Sequence, residues 1–212
     1  MRMQTNITNE SVVRRGIKVI TDERDVLDGL ASQLGDGFAA VVRLVAECRG
    51  KVVFSGIGKS GRVAEKIVAS MSSLGIPSVF LHSTEALHGD IGVVQEEDVV
   101  FVISNSGTTK EVLDIVPVLR RLGATTIAIS KSTDTPLAKA ADLALTAGVD
   151  AEVDDNNLAP TASTTAQLVL GDALAVAASE LKGLTRDDFA LRHPAGALGS
   201  QLSTGAGSAS AG

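Results

Sequence analysis

Two short segments carry residue types that hold phosphate. Gly56-Ile57-Gly58-Lys59-Ser60-Gly61 follows an apolar, β-branched run and opens a helical segment. Its glycines let the backbone approach a ligand closely, while helix N–H groups face an anion. Ser104-Asn105-Ser106-Gly107-Thr108-Thr109 stands in the same position between an apolar run and a helical segment. Its hydroxyls, amide and helix-terminal N–H groups make a neutral cradle for a phosphate dianion. The first segment also satisfies the dinucleotide pattern Gly-x-Gly-x-x-Gly, but that reading wants an acidic residue about 20 positions on, at the end of the next strand. That strand runs into His82 and Ser83 instead. A P-loop fails because it needs glycine where Val53 stands. Tight strand-to-helix packing or routine Ser/Thr capping explains either loop alone. The pair, on consecutive halves of one sheet, points to a ligand.

The elements that must position these loops follow from hydrophobic patterning. Lys51–Ser55, Ser78–Leu81, Val99–Ser104, Thr125–Ser130 and Leu143–Thr146 are short, β-branched-rich and bounded by Gly, Ser or Pro, as buried strands are. Arg62–Leu74, Lys110–Leu122 and Pro136–Ala141 between them are helical in composition. Strict alternation of apolar strands with helices predicts a doubly wound α/β sandwich: a mostly parallel five-stranded sheet with helices on both faces. Open sheets of this kind bind ligands at the carboxyl edge, where both loops would lie. Upstream, apolar residues from Asp22 to Glu47 recur at helical spacing and break near Gly35-Asp36-Gly37, predicting two helices. After the last strand comes a polar, acidic loop from Gly148 to Pro160. A long helix rich in small residues then starts near Thr161, whose side chain is placed to cap it. The organisation is an arm over residues 1–20, a domain over 21–202 and a Gly/Ser/Ala tail over 203–212.

Composition narrows the function classes. The 212 residues hold 19 Lys+Arg against 25 Asp+Glu, a net charge of −6 that offers no field for nucleic acid. With no Tyr or Trp and five Phe, base-stacking platforms have little to be built from. The single cysteine, Cys48, fits a reducing compartment, and the N-terminus lacks the apolar core of a signal peptide, so a cytoplasmic location is expected. The apolar stretch Leu168 to Leu181 is interrupted by Asp172 and Glu180 and is too short to span a bilayer, so no membrane partner is expected.

Further motifs join the two loops: Glu85-Ala86-Leu87-His88-Gly89-Asp90, the run from Leu158 through Pro160 and Thr161 to Ala166, Gly171-Asp172-Ala173-Leu174-Ala175, and the run from Asp188 through His193-Pro194 to Gly199. With them the chain resembles the sugar isomerase (SIS) domain family, specifically its D-arabinose-5-phosphate isomerases of the Kdo pathway. The resemblance covers about Asp22 to Gly199. It implies an aldose–ketose isomerase that interconverts D-ribulose 5-phosphate and D-arabinose 5-phosphate through an enediolate, the first step of Kdo and hence lipopolysaccharide synthesis. Most members continue into a pair of CBS domains, whereas this sequence runs into its Gly/Ser/Ala tail, as a single-domain form or a shortened chain would.

Such chemistry needs a phosphate anchor, a base that moves a proton between neighbouring carbons, and a donor to the enediolate oxygen. Ser104, Asn105, Ser106, Thr108 and Thr109 are the expected anchor, with Ser55, Gly56, Gly58, Lys59 and Ser60 around the first loop. Lys59 neutralises phosphate or stabilises the oxyanion. Glu152, matching the family's functional glutamate, is the first candidate base; Glu111, one turn beyond the second loop, is the second. His88 and His193, inside isomerase-like motifs, are candidates for ring opening, proton shuttling or oxyanion donation. His82 reads as a structural strand-end residue. No metal or other cofactor is expected. Both histidines lie far from the loops in sequence, and the resemblance implies sites that form where subunits meet, so a site shared between subunits of a homo-oligomer, a tetramer built as a dimer of dimers, is expected. The rival readings are a hexulose-6-phosphate isomerase, a non-catalytic sugar-phosphate sensor and a dinucleotide-dependent oxidoreductase.

Overall fold

The computed structural model describes residues 7–194; the expected tail, the domain end placed at residue 202 and residues 195–199 of the His-Pro run lie outside the described residues. Five strands form one wholly parallel sheet: β1 (Val52–Gly56), β2 (Ser78–His82), β3 (Val99–Ile103), β4 (Thr125–Ser130) and β5 (Leu143–Thr146). Their order is β2-β1-β3-β4-β5. The central strands β1 and β3 are buried along their whole length, as their unbroken apolar runs require of a sheet covered on both faces. Phe54 and Phe101 pair in register and stack with centroids 4.5 Å apart, locking these two strands together.

One face is covered by the C-terminal half of α1 (Asn9–Ser32) and by α2 (Asp36–Glu47), α3 (Gly58–Ser73) and α7 (Ala162–Leu181). The other carries α4 (Ser83–Ala86), α5 (Lys110–Arg121) and α6 (Pro136–Ala140). A last short helix, α8 (Arg186–Leu191), follows α7. No helix among the described residues is long and apolar enough to cross a membrane. The small residues of α7 bring it close to α3, and a Cβ on Gly171 would come within 2.3 Å of Ile67.

Two boundaries differ by more than one residue from those expected. The first helix begins at Asn9 rather than Asp22, because Thr8 and Ser11 cap it reciprocally: the Ser11 N–H donates to Thr8 Oγ1 at 3.2 Å and the Thr8 N–H to Ser11 Oγ at 3.0 Å. It therefore crosses the limit drawn at residue 20. Helix α3 begins at Gly58 rather than Arg62, so four of the six residues of the glycine-rich segment are the helix's own first turn.

The chain leaves β1 toward β2 on one side and β3 toward β4 on the other, so a crevice opens between the carboxyl ends of β1 and β3. At the opposite edge Asp98 ties the starts of β1 and β3 together. Its buried carboxylate accepts the N–H groups of Lys51 (2.9 Å) and Gln95 (2.8 Å) and pairs with Lys51 Nζ at 2.7 Å. Burial by itself opposes ionisation, but the Lys51 ammonium and the two N–H groups outweigh it and hold the carboxyl below the usual aspartate range. Asp98→Ala is expected to cost about 3 kcal/mol in urea unfolding, since it strands a half-buried ammonium and two N–H donors. With the folded pKa depressed, this stability is present above the unfolded value of ~3.9 and is lost as pH falls through the folded one. The wild type should therefore lose more stability than the variant on acidification.

Candidate active site

Both phosphate-type loops meet at that crevice. They line a cavity of about 290 Å³ together with the acidic loop and the start of α7; its walls carry Lys59, Ser60, Ser104, Asn105, Ser106, Thr109, Glu152 and Ser163. Glu152 is the one carboxylate and Lys59 the one cation among the lining residues. The size lies at the low end for small-molecule sites and suits a short polar ligand rather than a dinucleotide. A larger cavity, about 710 Å³, lies at the opposite edge of the sheet around Cys48, Arg49 and Asp98. No helix begins there, and its Asp98 and Arg49 are paired with Lys51 and Glu97.

Three long helices begin at the smaller cavity. Neither α3 nor α5 has a side-chain cap, so the N–H groups of their first turns are left for an anion. Gly58, at φ +57° in open space, sets the entry into α3, whereas Gly56 is buried, and a Cβ there would sit 3.2 Å from the Ile103 carbonyl oxygen. Gly56 thus serves strand-to-helix packing. In the second loop the hydroxyls order one another. Ser104 Oγ accepts the Gly107 N–H at 3.1 Å and bonds Thr109 Oγ1 at 2.9 Å. Ser106 Oγ accepts both the N–H and the hydroxyl of Thr108, at 3.2 and 2.9 Å, which leaves its own O–H to be donated. Thr108 acts as this support and does not line the cavity. The buried Oδ1 of Asn105 has no partner among the described residues.

The third helix, α7, is closed by Glu152 from nine residues upstream. Its Oε2 accepts the N–H of Thr161 (2.8 Å), the N–H of Ser163 (3.1 Å) and the Thr161 hydroxyl (3.2 Å), and Oε1 accepts the Ser163 hydroxyl. The expected Thr161 cap does not form. With φ −131° and ψ −82° its hydroxyl turns away from the helix and takes the Val153 N–H instead, so the remote carboxylate occupies the positive end of the helix. Burial alone would raise the Glu152 carboxyl. The Ser163 hydroxyl and the Thr161 and Ser163 N–H groups overcome this and pull it below the ordinary glutamate value. Glu152 is therefore an anion throughout the working range, with its Oε2 filled and one lone pair of Oε1 unused.

The acidic loop organises itself around this carboxylate. Asn157, in the left-handed region at φ 54°, accepts the Glu152 N–H on its side-chain oxygen at 2.7 Å. Asp154 accepts the N–H groups of Asn156, Leu158 and Ala159.

Several expected site residues lie elsewhere in the single chain. Ser55 is fully buried within β1, its hydroxyl 2.8 Å from that of Ser83, because alternation along the strand turns it into the interior. Glu111 sits half-buried in the first turn of α5, outside the cavity lining. His88 is exposed just after α4 and does not line the cavity. His193 packs at the far end of α3: its Nδ1–H donates to the Phe189 carbonyl at 2.8 Å, its Nε2 meets Ser73 Oγ at 2.7 Å, and it stacks on Phe189. With a rise of 1.5 Å per residue, α3 separates Ser73 from the cavity by ~20 Å. Conversely, Ser163 and Thr164 line the cavity although the sequence does not single them out. Their signal is the run from Leu158 to Ala166, but nothing local says that its hydroxyls face Glu152.

The family model of the SIS domain matches residues 45–177. The arabinose 5-phosphate isomerase KdsD of Pseudomonas aeruginosa is 46% identical over 202 residues, covering 95% of this chain and 61% of that protein. The enzyme of the same name from Escherichia coli K12 is 46% identical over 187 residues, covering 88% of this chain and 57% of that protein. The chain thus spans less than two thirds of these relatives' length. A solved structure of Escherichia coli CFT073 c3406 in complex with arabinose 5-phosphate superposes with a TM-score of 0.86 at 41% identity, covering 89% of this chain and all of that one.

Proposed function

Since the chain belongs to the SIS domain family, we propose that it is an aldose–ketose isomerase acting on D-arabinose 5-phosphate and D-ribulose 5-phosphate. The observation that carries this reading is the convergence of two uncapped helix N-termini, a hydroxyl-rich loop, one cation and one ionised carboxylate on a single small cavity. The names of the relatives and the ligand of the superposed neighbour support the substrate class.

The phosphate is held by Ser104, Ser106 and Thr109 and by the first-turn N–H groups of α5, with Ser60 and the start of α3 facing it. Asn105, which also lines the cavity, is placed beside the sugar. With the aldose open, Glu152 Oε1 removes the proton on C2, and the C–H pair becomes the C1–C2 double bond while the C1 carbonyl electrons move onto oxygen. Lys59 stabilises this enediolate oxygen. The oxygen takes up a proton, the C2 hydroxyl loses one, and C1 receives the proton held by Glu152, leaving a C2 ketone. Glu152 is regenerated and no co-reactant is consumed. A pentose 5-phosphate closes to a furanose, so the aldose direction also needs an acid for ring opening, the role assigned to His88 or His193.

We assign that histidine to a neighbouring subunit of a homotetramer. Two features support the assignment: neither imidazole reaches the cavity of its own chain, and Val12, Val13, Ile17 and Ile20 expose an apolar stripe on α1 suited to burial against another copy. Inactive Glu152→Gln and His88→Ala preparations, mixed and allowed to exchange subunits, are expected to regain activity; a sedimenting monomer with full activity would remove the shared site. The same reading puts the reaction in the cytoplasm, at the start of Kdo synthesis.

Proton NMR of the protein with D-ribulose 5-phosphate in D2O tests the whole assignment. Arabinose 5-phosphate bearing deuterium at C2 is the expected product. Turnover of hexulose 6-phosphate alone, or binding without turnover, would replace the reading with a hexose-phosphate isomerase or a sensor.

A further inference from the structure

We propose that Arg15, in the N-terminal half of α1, is a positioning residue that holds the Glu152 loop in its working geometry; the proposal rests on the isomerase reading above. The inward stripe of α1 runs Ser11, Arg15, Val19, Val26 and Leu30 at helical spacing. An arginine thus stands in a row whose later members pack on the core. Its Nη2 donates to the Val153 carbonyl at 2.7 Å and meets Asp155 Oδ1 at 3.0 Å, across 138 residues of sequence.

The tie matters because of what else holds that loop. Residues 148–160 contain no helix or strand. Apart from the Arg15 bond, Glu152, Val153, Asp154, Asn157 and Thr161 bond only to one another and to Ser163 and other near neighbours. Those bonds fix the loop's internal shape and tie the Glu152 carboxylate to the start of α7, but they hold residues 153–159 to no element beyond that helix start. Among the described residues, and apart from the adjoining start of α7, Arg15 is the one side chain from another element that hydrogen-bonds this stretch. It grips the carbonyl of the residue after Glu152 through a planar guanidinium. The Asp155 end of the clasp is almost fully exposed and contributes little, so the carbonyl bond is the anchor.

The test pairs kinetics with hydrogen exchange in the full chain. Arg15→Met is expected to lower kcat about tenfold with KM within about twofold, because the phosphate cradle stands on other elements. Amide exchange across residues 152–159 should rise while the thermal midpoint holds. Arg15→Lys, which keeps a cationic donor, should recover most of kcat, and Asp155→Asn should change it less than about twofold. Wild-type kcat in Arg15→Met, or exchange in the loop no faster than in the wild type, overturns the proposal. So does a fall in kcat, KM and thermal midpoint together that Arg15→Lys does not rescue. Should the wild type turn over no pentose phosphate, the isomerase reading fails by itself, and the exchange measurement still decides whether the clasp exists.

Discussion

Glu152→Gln is expected to lower kcat by about 10²–10⁴-fold while leaving KM close to wild type. The carboxylate is the one base lining the cavity, and the amide that replaces it cannot take a proton from carbon. On the proposed reading the substrate is held by Ser104, Ser106 and Thr109, which the change does not touch. Deuterium incorporation at C2 should disappear with turnover. Glu111→Gln, one helix away and outside the cavity lining, should lower kcat by less than about tenfold. The reverse ranking would transfer the base to Glu111. The pH profile follows from the same geometry. Hydrogen bonds from Ser163 and Thr161 depress the Glu152 carboxyl, so the acid limb of kcat/KM should have its midpoint below the ordinary glutamate value of 4.5. The variant also exchanges an anion at the N-terminus of α7 for an amide whose NH2 faces N–H donors, at a cost of about 1 kcal/mol near neutral pH. Because the folded pKa is the lower one, that contribution is present above 4.5 and fades as pH falls through the folded value. Equilibrium unfolding at several pH values measures it.

The second large effect belongs to Gly107. It holds φ +63°, and a Cβ there would fall 2.4 Å from Cβ and 2.6 Å from Oγ1 of Thr135. Its N–H bonds Ser104 and its carbonyl accepts the Leu137 N–H at 3.1 Å, so the residue cannot shift without moving both the loop and the start of α6. Gly107→Ala is expected to cost about 3 kcal/mol or more in unfolding and to raise KM more than about tenfold, with a smaller change in kcat. Gly58→Ala is the internal comparison. Its φ of +57° is as unfavourable for a side chain, but nothing lies within 4 Å of the new Cβ. Only the conformational cost remains, about 1 kcal/mol, and KM should stay within about threefold. Equal effects in the two variants would mean that backbone strain, and not the wedge against Thr135, controls the second loop.

The sequence by itself determined the sheet and the edge at which its two hydroxyl- and glycine-rich loops meet. Short β-branched runs alternating with helical segments leave no other use for strands such as Val52–Gly56 and Val99–Ile103 than the middle of a covered parallel sheet. Once the strands are parallel, Lys59 and the Ser104–Thr109 hydroxyls must emerge at the same edge, because each follows its strand directly. Adjacency in sequence is enough for that. It failed at Ser55, where a one-residue difference along a strand turns a hydroxyl from the ligand edge into the interior, against Ser83. Tertiary structure alone decided the rest. Glu152 replaces Thr161 as the cap of α7 because folding brings the end of β5 back to the start of that helix, and a charged acceptor outcompetes a hydroxyl at a helix N-terminus. His193 and Lys59 stand in motifs of equal apparent weight, yet the length of α3 holds them apart in one chain. In sequence Arg15 falls in the arm drawn over residues 1–20, where nothing singles it out. It acquires a task only because the stripe it occupies is pressed against a loop 138 residues away. Strand and helix formation depends on neighbours a few residues apart, which a sequence displays; the hydrogen bonds that tune a carboxylate depend on chain ends meeting in space, which it does not.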